Sequence, residues 1–114
     1  MPFYTYCQNN SGGKFKRDKD LDLFVIIEAH SAAHADCLTQ NIGIYFDGVH
    51  NGLDCPCCGD RWYSAEGDKG TDSPEVYGMH PSALLQFYEP FKVLVHHLDG
   101  HMEMFDHRNP DVDN

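Results

Sequence analysis

The stretch Leu23-Phe-Val-Ile-Ile-Glu-Ala29 decides how the rest of this chain is read. A run this rich in β-branched and aromatic residues predicts a strand that is central in a sheet. Ser31 follows at once as an N-cap, and Ala32, Ala35, Leu38 and Ile42 recur at helical spacing. Gly43 is placed to end that helix in the left-handed conformation. A helix over residues 32–42 is therefore expected to lay its apolar stripe on the sheet.

Working outward, Phe3 to Gln8 alternates aromatic and polar residues and reads as a strand, ended by the turn-forming Asn9-Asn-Ser-Gly-Gly13. Lys14 to Arg17 is the expected hairpin partner. Ile44-Tyr-Phe46 continues in an extended path until Asp47-Gly48 turns it. Pro81 to Glu89 fits a short helix, with Pro81 in its first turn and Pro90 as its stop. Near the C-terminus, Asp99-Gly100 fits a two-residue hairpin turn between alternating apolar residues. Pairing across it sets Leu98 against His101, His97 against Met102, His96 against Glu103, Val95 against Met104 and Leu94 against Phe105. Phe91, Val93, Val95, His97, Met102 and Met104 would then share the core face.

These elements predict an α+β fold: an antiparallel or mixed sheet of four to five strands, one main helix packed on one face, and a C-terminal β-hairpin over 91–107. At 114 residues the chain has the size of a single domain, spanning 1–114, with an irregular Cys-, Gly- and Asp-rich segment at 47–75. The hydrophobic fraction of 41%, with seven Phe and six Tyr beside one Trp, is that of a folded protein. No apolar run approaches the ~20 residues of a membrane helix, and no charged-then-apolar leader opens the chain. A cytoplasmic location is expected, where thiols stay reduced.

Charge is unevenly spread. Lys14, Lys16, Arg17 and Lys19 form one basic run. From residue 21 onward 16 acidic residues face only Arg61, Lys69, Lys92 and Arg108, a formal −12. Such a surface repels phosphate backbones, so direct nucleic-acid binding is disfavoured. The basic run itself reads as a solvated hairpin end.

Asp54-Cys-Pro-Cys-Cys-Gly-Asp-Arg-Trp62 concentrates three of the five cysteines. Cys55-Pro-Cys-Cys-Gly59 fits the Cys-Pro-x-Cys-Gly turn of zinc ribbons and knuckles. Two cysteines three apart point both sulfurs at one ion, and Gly permits a positive φ that lets backbone N–H groups face the thiolates. Four ligands are needed, and no second Cys-x-x-Cys exists. Cys57, His50 and His80 are candidates to complete a structural zinc site, with Cys7 and Cys37 as the remaining candidate ligands; Cys37, on the helix, is expected to be a buried free thiol. A redox pair of Cys55 and Cys58 lacks a following helix, and Asp54 and Asp60 are expected to raise a neighbouring thiol's pKa. The alternative without chemistry is a turn pinned by Trp62 and organised by an Asp60–Arg61 ion pair.

Of eight histidines, His96, His97, His101 and His107 fall on the hairpin. In the register above, His96 faces Glu103 with His101 diagonal to both, a face that could hold a catalytic metal. The competing reading is an exposed polar face of an antiparallel hairpin. No nucleophile elbow, phosphate-binding glycine loop or metalloprotease helix occurs.

Taken together, Ser11-Gly-Gly13, Phe24-Val-Ile-Ile-Glu-Ala29, Gly43-Ile-Tyr-Phe-Asp-Gly-Val49 and Asp54 to Trp62, followed by Tyr77-Gly78, resemble a family of small uncharacterised proteins encoded by tailed bacteriophages. The resemblance covers residues 4 to 78, and the Tyr-Phe-Asp-Gly-Val and Asp-Cys-x-Cys-Cys-Gly-Asp-Arg-Trp segments are its most specific parts. It implies a setting, the infected bacterial cytoplasm, more than an activity. It also implies Cys55, Cys57 and Cys58 as a metal cluster, with Asp60, Arg61 and Trp62 as its structural or binding flank.

The function expected from these features is a non-enzymatic phage accessory protein. It would bind and modulate a host or phage protein, with inhibition the expected mode, and a nucleic-acid-binding partner is one candidate, met through an acidic surface that imitates nucleic acid. The alternatives are a metal-dependent enzyme acting on nucleotides or nucleic acid through His96, His101 and Glu103, and a sponge for a small signalling nucleotide, with the basic run and Tyr45 or Trp62 lining its pocket.

Overall fold

A computed structural model describes residues 2–84 and 91–107. Four strands form one mixed sheet in the order β1-β2-β3-β4, comprising β1 (Phe3–Cys7), β2 (Phe24–Glu28), β3 (Lys92–His96) and β4 (Met102–Asp106). β1 is antiparallel to β2, β2 parallel to β3, and β3 antiparallel to β4. Among the described residues the fold is α+β with one α-helix, α1 (Ala32–Gln40), as the sequence predicts.

β2 is one of the two inner strands, and both of its faces are apolar. Val25 and Ile27 point to one side and meet Tyr4, Tyr6, Leu21, Ala35, Ile44 and Trp62. Phe24 and Ile26 point to the other and meet Phe3, Leu23, Val76, Phe91, Val93 and Val95. Helix α1 starts where Ser31 accepts a hydrogen bond from the His34 N–H, and Gly43 just beyond it has φ +103°. Ala32, Ala35, Leu38 and Ile42 all reach the first cluster, so the helical stripe packs as expected.

Lys14 to Arg17 is not a strand, and β1 pairs with β2 instead. The reason lies in Gln8, whose amide bridges the Lys16 and Asp22 carbonyls while its oxygen accepts from the Lys16 N–H. This buried side chain uses the polar groups of the basic run that a ladder would need. Ile44 to Phe46 is likewise outside any strand. Pro81–Ala83 forms a short 3-10 turn. The rest of the helix expected to Glu89 lies outside the described residues.

The hairpin register differs by one residue from the expected one. His96 pairs with Met102, Val95 with Glu103, Leu94 with Met104 and Val93 with Phe105. The His97 N–H donates to the His101 carbonyl, and the Gly100 N–H donates to that of His97. The loop is therefore Leu98-Asp99-Gly100, three residues long, with Gly100 at φ +99°. A turn followed by a left-handed glycine is the standard three-residue hairpin solution, and Asp99-Gly100 satisfies it as well as a two-residue turn. The slip exchanges faces. Met102 and Met104 leave the expected core face and are 41% and 54% exposed, whereas Phe105 packs with Val93 and Val95.

Candidate functional site

The cysteine loop is held from behind by charge. Asp54 is buried, and its carboxylate accepts from the Tyr45 hydroxyl at 2.6 Å and the Arg61 N–H at 2.8 Å, with Arg61 Nε at 3.8 Å. The Arg61 guanidinium then donates to Gln8 Oε1, the Lys14 carbonyl and the Ser11 carbonyl. Asp54, not Asp60, is thus the ionic partner of Arg61. Asp60 accepts from the Val49 N–H at 2.9 Å, while its carbonyl and that of Cys58 accept from the Asn9 amide. Trp62 is wholly buried in the helix-side core. The segments Phe-Asp-Gly-Val and Asp-Arg-Trp therefore pin a long irregular segment to the sheet.

In front of this scaffold the Cys58 and Gly59 N–H groups donate to the Cys55 carbonyl, and Gly59 has φ +89°. The Cys55 and Cys57 sulfurs lie 3.4 Å apart. The Cys55 thiol is shifted below its ordinary value, first by the Cys57 thiol and then by the backbone N–H groups of Cys57 and Cys58. Cys57 is raised in turn by the same partner. The expectation that Asp54 and Asp60 would raise Cys55 fails, because both carboxylates are turned away into the bonds just described. Two sulfurs in contact on a turn closed by a left-handed glycine suit a metal knuckle, so this cluster could hold a metal ion. Among the described residues neither Cys58 nor exposed His50 completes with Cys55 and Cys57 a set of three donors within 4.8 Å of one another. His80 instead caps the 3-10 turn and packs edge-on against Phe105. Cys37 is exposed, as is Cys7.

A second cluster lies at the hairpin end. With the register moved, His97 takes the place expected of His96. One donor atom each from His97, His101 and Glu103 lie within 4.8 Å of one another, the only such set of three among the described residues. His97 Nε2 meets Glu103 Oε1 at 2.5 Å, and its Nδ1 faces Glu28 Oε1 at 3.4 Å. His101 stacks on His97 at 4.0 Å between ring centroids, and its Nδ1 meets Asp99 Oδ1 at 2.5 Å. The Asp99 carboxyl is held below its usual range, first by the His101 N–H and then by the His101 ring. His96 is on the opposite face, where its Nε2 meets the Asp20 carbonyl at 3.1 Å. Sequence reasoning found His101 and Glu103; only the loop length hid His97.

The basic run is partly neutralised: Arg17 reaches buried Asp22 at 3.3 Å, Lys19 pairs with Asp20, and Lys16 lies over the Tyr45 ring. Of the two aromatics expected to line a nucleotide pocket, only Tyr45 borders this run, since Trp62 has no exposed surface.

On the helix side of the sheet, Ile27, Leu38, Ile42, His96 and Leu98 line an open groove between the end of α1 and β3. Met102, paired with His96, continues that surface onto β4. No helix of the described residues is long and apolar enough to cross a membrane.

Comparison with curated proteins and with solved structures finds no match. Comparison with protein families aligns residues 1–111 with a domain of unknown function, DUF7296, so the chain belongs to the DUF7296 family.

Proposed function

We propose that this chain is a non-enzymatic binding module that docks a basic protein at the outer edge of β4. The observation that carries the reading is that edge itself. Among the described residues no strand pairs with the outer side of β4, whereas β1 at the other edge is bridged at Phe3 by Thr71. Met102 and Met104 stand exposed beside the groove at the end of α1. An unpaired edge flanked by flexible apolar side chains accepts an extended segment by strand addition, and methionines adapt to its shape. The excess of 16 acidic over four basic residues after residue 20 selects a partner of opposite charge and speeds its capture.

The resemblance to small tailed-phage proteins supports a setting in the infected bacterial cytoplasm. There, a basic partner is in most cases a nucleic-acid-binding host or phage protein, and occupying its nucleic-acid surface inhibits it. Zinc at Cys55, Cys57 and Cys58 would serve this module structurally, by ordering the loop rather than by chemistry.

A photo-crosslinking residue at position 104, compared with one at exposed Tyr63, tests the reading in bacterial lysate at low salt. The expected result is one stoichiometric partner captured from 104 and not from 63, and lost in the Met102→Glu, Met104→Glu double variant. Equal capture from both positions, or no stoichiometric capture, overturns it.

A further inference from the structure

We infer that His97, His101 and Glu103 form a binding site for a divalent first-row transition ion, separate from the cysteine loop and from the methionine face of the hairpin. Two imidazoles and a carboxylate are a donor set that suits zinc and its neighbours in the series. What raises this cluster above an exposed polar face is what stands behind each ring. Glu28, from the end of β2, faces Nδ1 of His97, and Asp99, from the loop, bonds Nδ1 of His101. Each ring therefore has a carboxylate at Nδ1, with Nε2 as its metal-facing atom. That is how metal-binding histidines are usually fixed in tautomer and orientation. At His97 the ion would take the place of the present contact between Nε2 and Glu103.

The packing supports the same assignment. The Phe3 ring meets His97 edge-on at 5.8 Å, and Glu28 also accepts the Leu98 N–H, so the inner half of the site is fixed by the sheet. The outer half is free to adjust, since the His101 and Glu103 side chains are 58% and 46% exposed. Two nitrogens each about 2.1 Å from a tetrahedral ion lie about 3.4 Å apart. Donors now within 4.8 Å of one another need close by little more than an ångström, through rotation of exposed side chains. An ion seated between His97 Nε2 and Glu103 Oε1 replaces the hydrogen bond between them, and a proton held there is released to solvent.

Titration with Zn²⁺ in a Cys55→Ser, Cys57→Ser, Cys58→Ser background removes the thiolate site from the measurement. One equivalent bound per chain is expected, with the imidazole ¹⁵N resonances of His97 and His101 moving and that of His96 not. His101→Ala and Glu103→Gln, both at exposed positions, should abolish binding, and His96→Ala should leave it unchanged. Asp99→Asn should weaken binding by about 10–100-fold and shift the His101 tautomer balance, as expected of a positioning residue. No binding, binding that survives His101→Ala, or loss on His96→Ala would overturn the assignment. Circular dichroism of each variant separates loss of the site from loss of the fold.

Discussion

The Asp54 carboxylate occupies the space that a side chain on Gly48 would need. A Cβ built on Gly48 would lie 1.8 Å from Asp54 Oδ2 and 2.8 Å from the Tyr45 ring. The glycine of Phe-Asp-Gly-Val is thus required by close approach rather than by a turn. Neither contact can yield cheaply, because Asp54 is fixed by Tyr45 and Arg61. Gly48→Ala should cost about 1–3 kcal/mol, as overpacking usually does, or more if Arg61 is displaced. Urea denaturation measures it, and a cost within a few tenths of a kcal/mol of zero would refute this account of the motif.

Arg61 should be the most sensitive charged residue of the chain. Its side chain is only 12% exposed, and its loss removes the positive charge beside buried Asp54, which keeps its bonds from Tyr45 and the residue-61 N–H, and the donors to Gln8, Ser11 and Lys14. Removing one partner from a buried pair typically costs about 3–5 kcal/mol, so Arg61→Ala should fall in that range. Arg61→Lys keeps the charge but cannot span Gln8, Ser11 and Lys14 at once, and should cost roughly 2 kcal/mol. If the lysine variant matched the wild type in thermal and urea unfolding, the fork geometry would be irrelevant.

Among the knuckle thiols, Cys55 should react before Cys57. The Cys57 thiol and two backbone N–H groups stabilise the Cys55 thiolate, whereas that same thiolate raises Cys57. Alkylation with iodoacetamide as pH is raised, read by mass spectrometry, should modify Cys55 first and Cys57 only at higher pH. Cys55→Ser should restore Cys57 to earlier reaction. Simultaneous modification of both would contradict the coupling, and added zinc should protect both if the loop holds the ion.

How much of this was legible in the sequence depended on the range of the interaction. Leu23 to Ala29 and the stripe Ala32, Ala35, Leu38 and Ile42 were legible because burial writes a local pattern, read correctly without knowing what covers it. The hairpin register was not, because Asp99-Gly100 serves a two-residue and a three-residue loop equally well, and the choice exchanges His96 for His97. Arg61 shows the same limit. Asp60 is its neighbour in sequence, yet the partners that matter are Asp54, Gln8, Ser11 and Lys14, as far as 53 residues away. Long-range hydrogen bonds leave no periodicity to detect.

Tyr6 makes the fold sensitive to alkali. Its hydroxyl donates to Asp36 Oδ1 at 2.7 Å, and Asp36 also accepts from the Ala65 N–H and the Ser64 hydroxyl, tying α1 to the segment after Trp62. Burial, first, and then the Asp36 carboxylate push the phenol well above its ordinary 10.0. A group whose pKa is higher in the folded chain contributes stability that is intact below pH 10. That contribution falls as pH rises above 10, where the unfolded chain gives up the proton and the folded chain must retain it. The wild type should therefore lose stability above pH 10 more steeply than Tyr6→Phe, although the variant is less stable by about 1 kcal/mol at pH 7 for want of the hydrogen bond. Urea midpoints from pH 7 to 11 decide it; parallel curves for the two proteins would exclude Tyr6 as the titrating group.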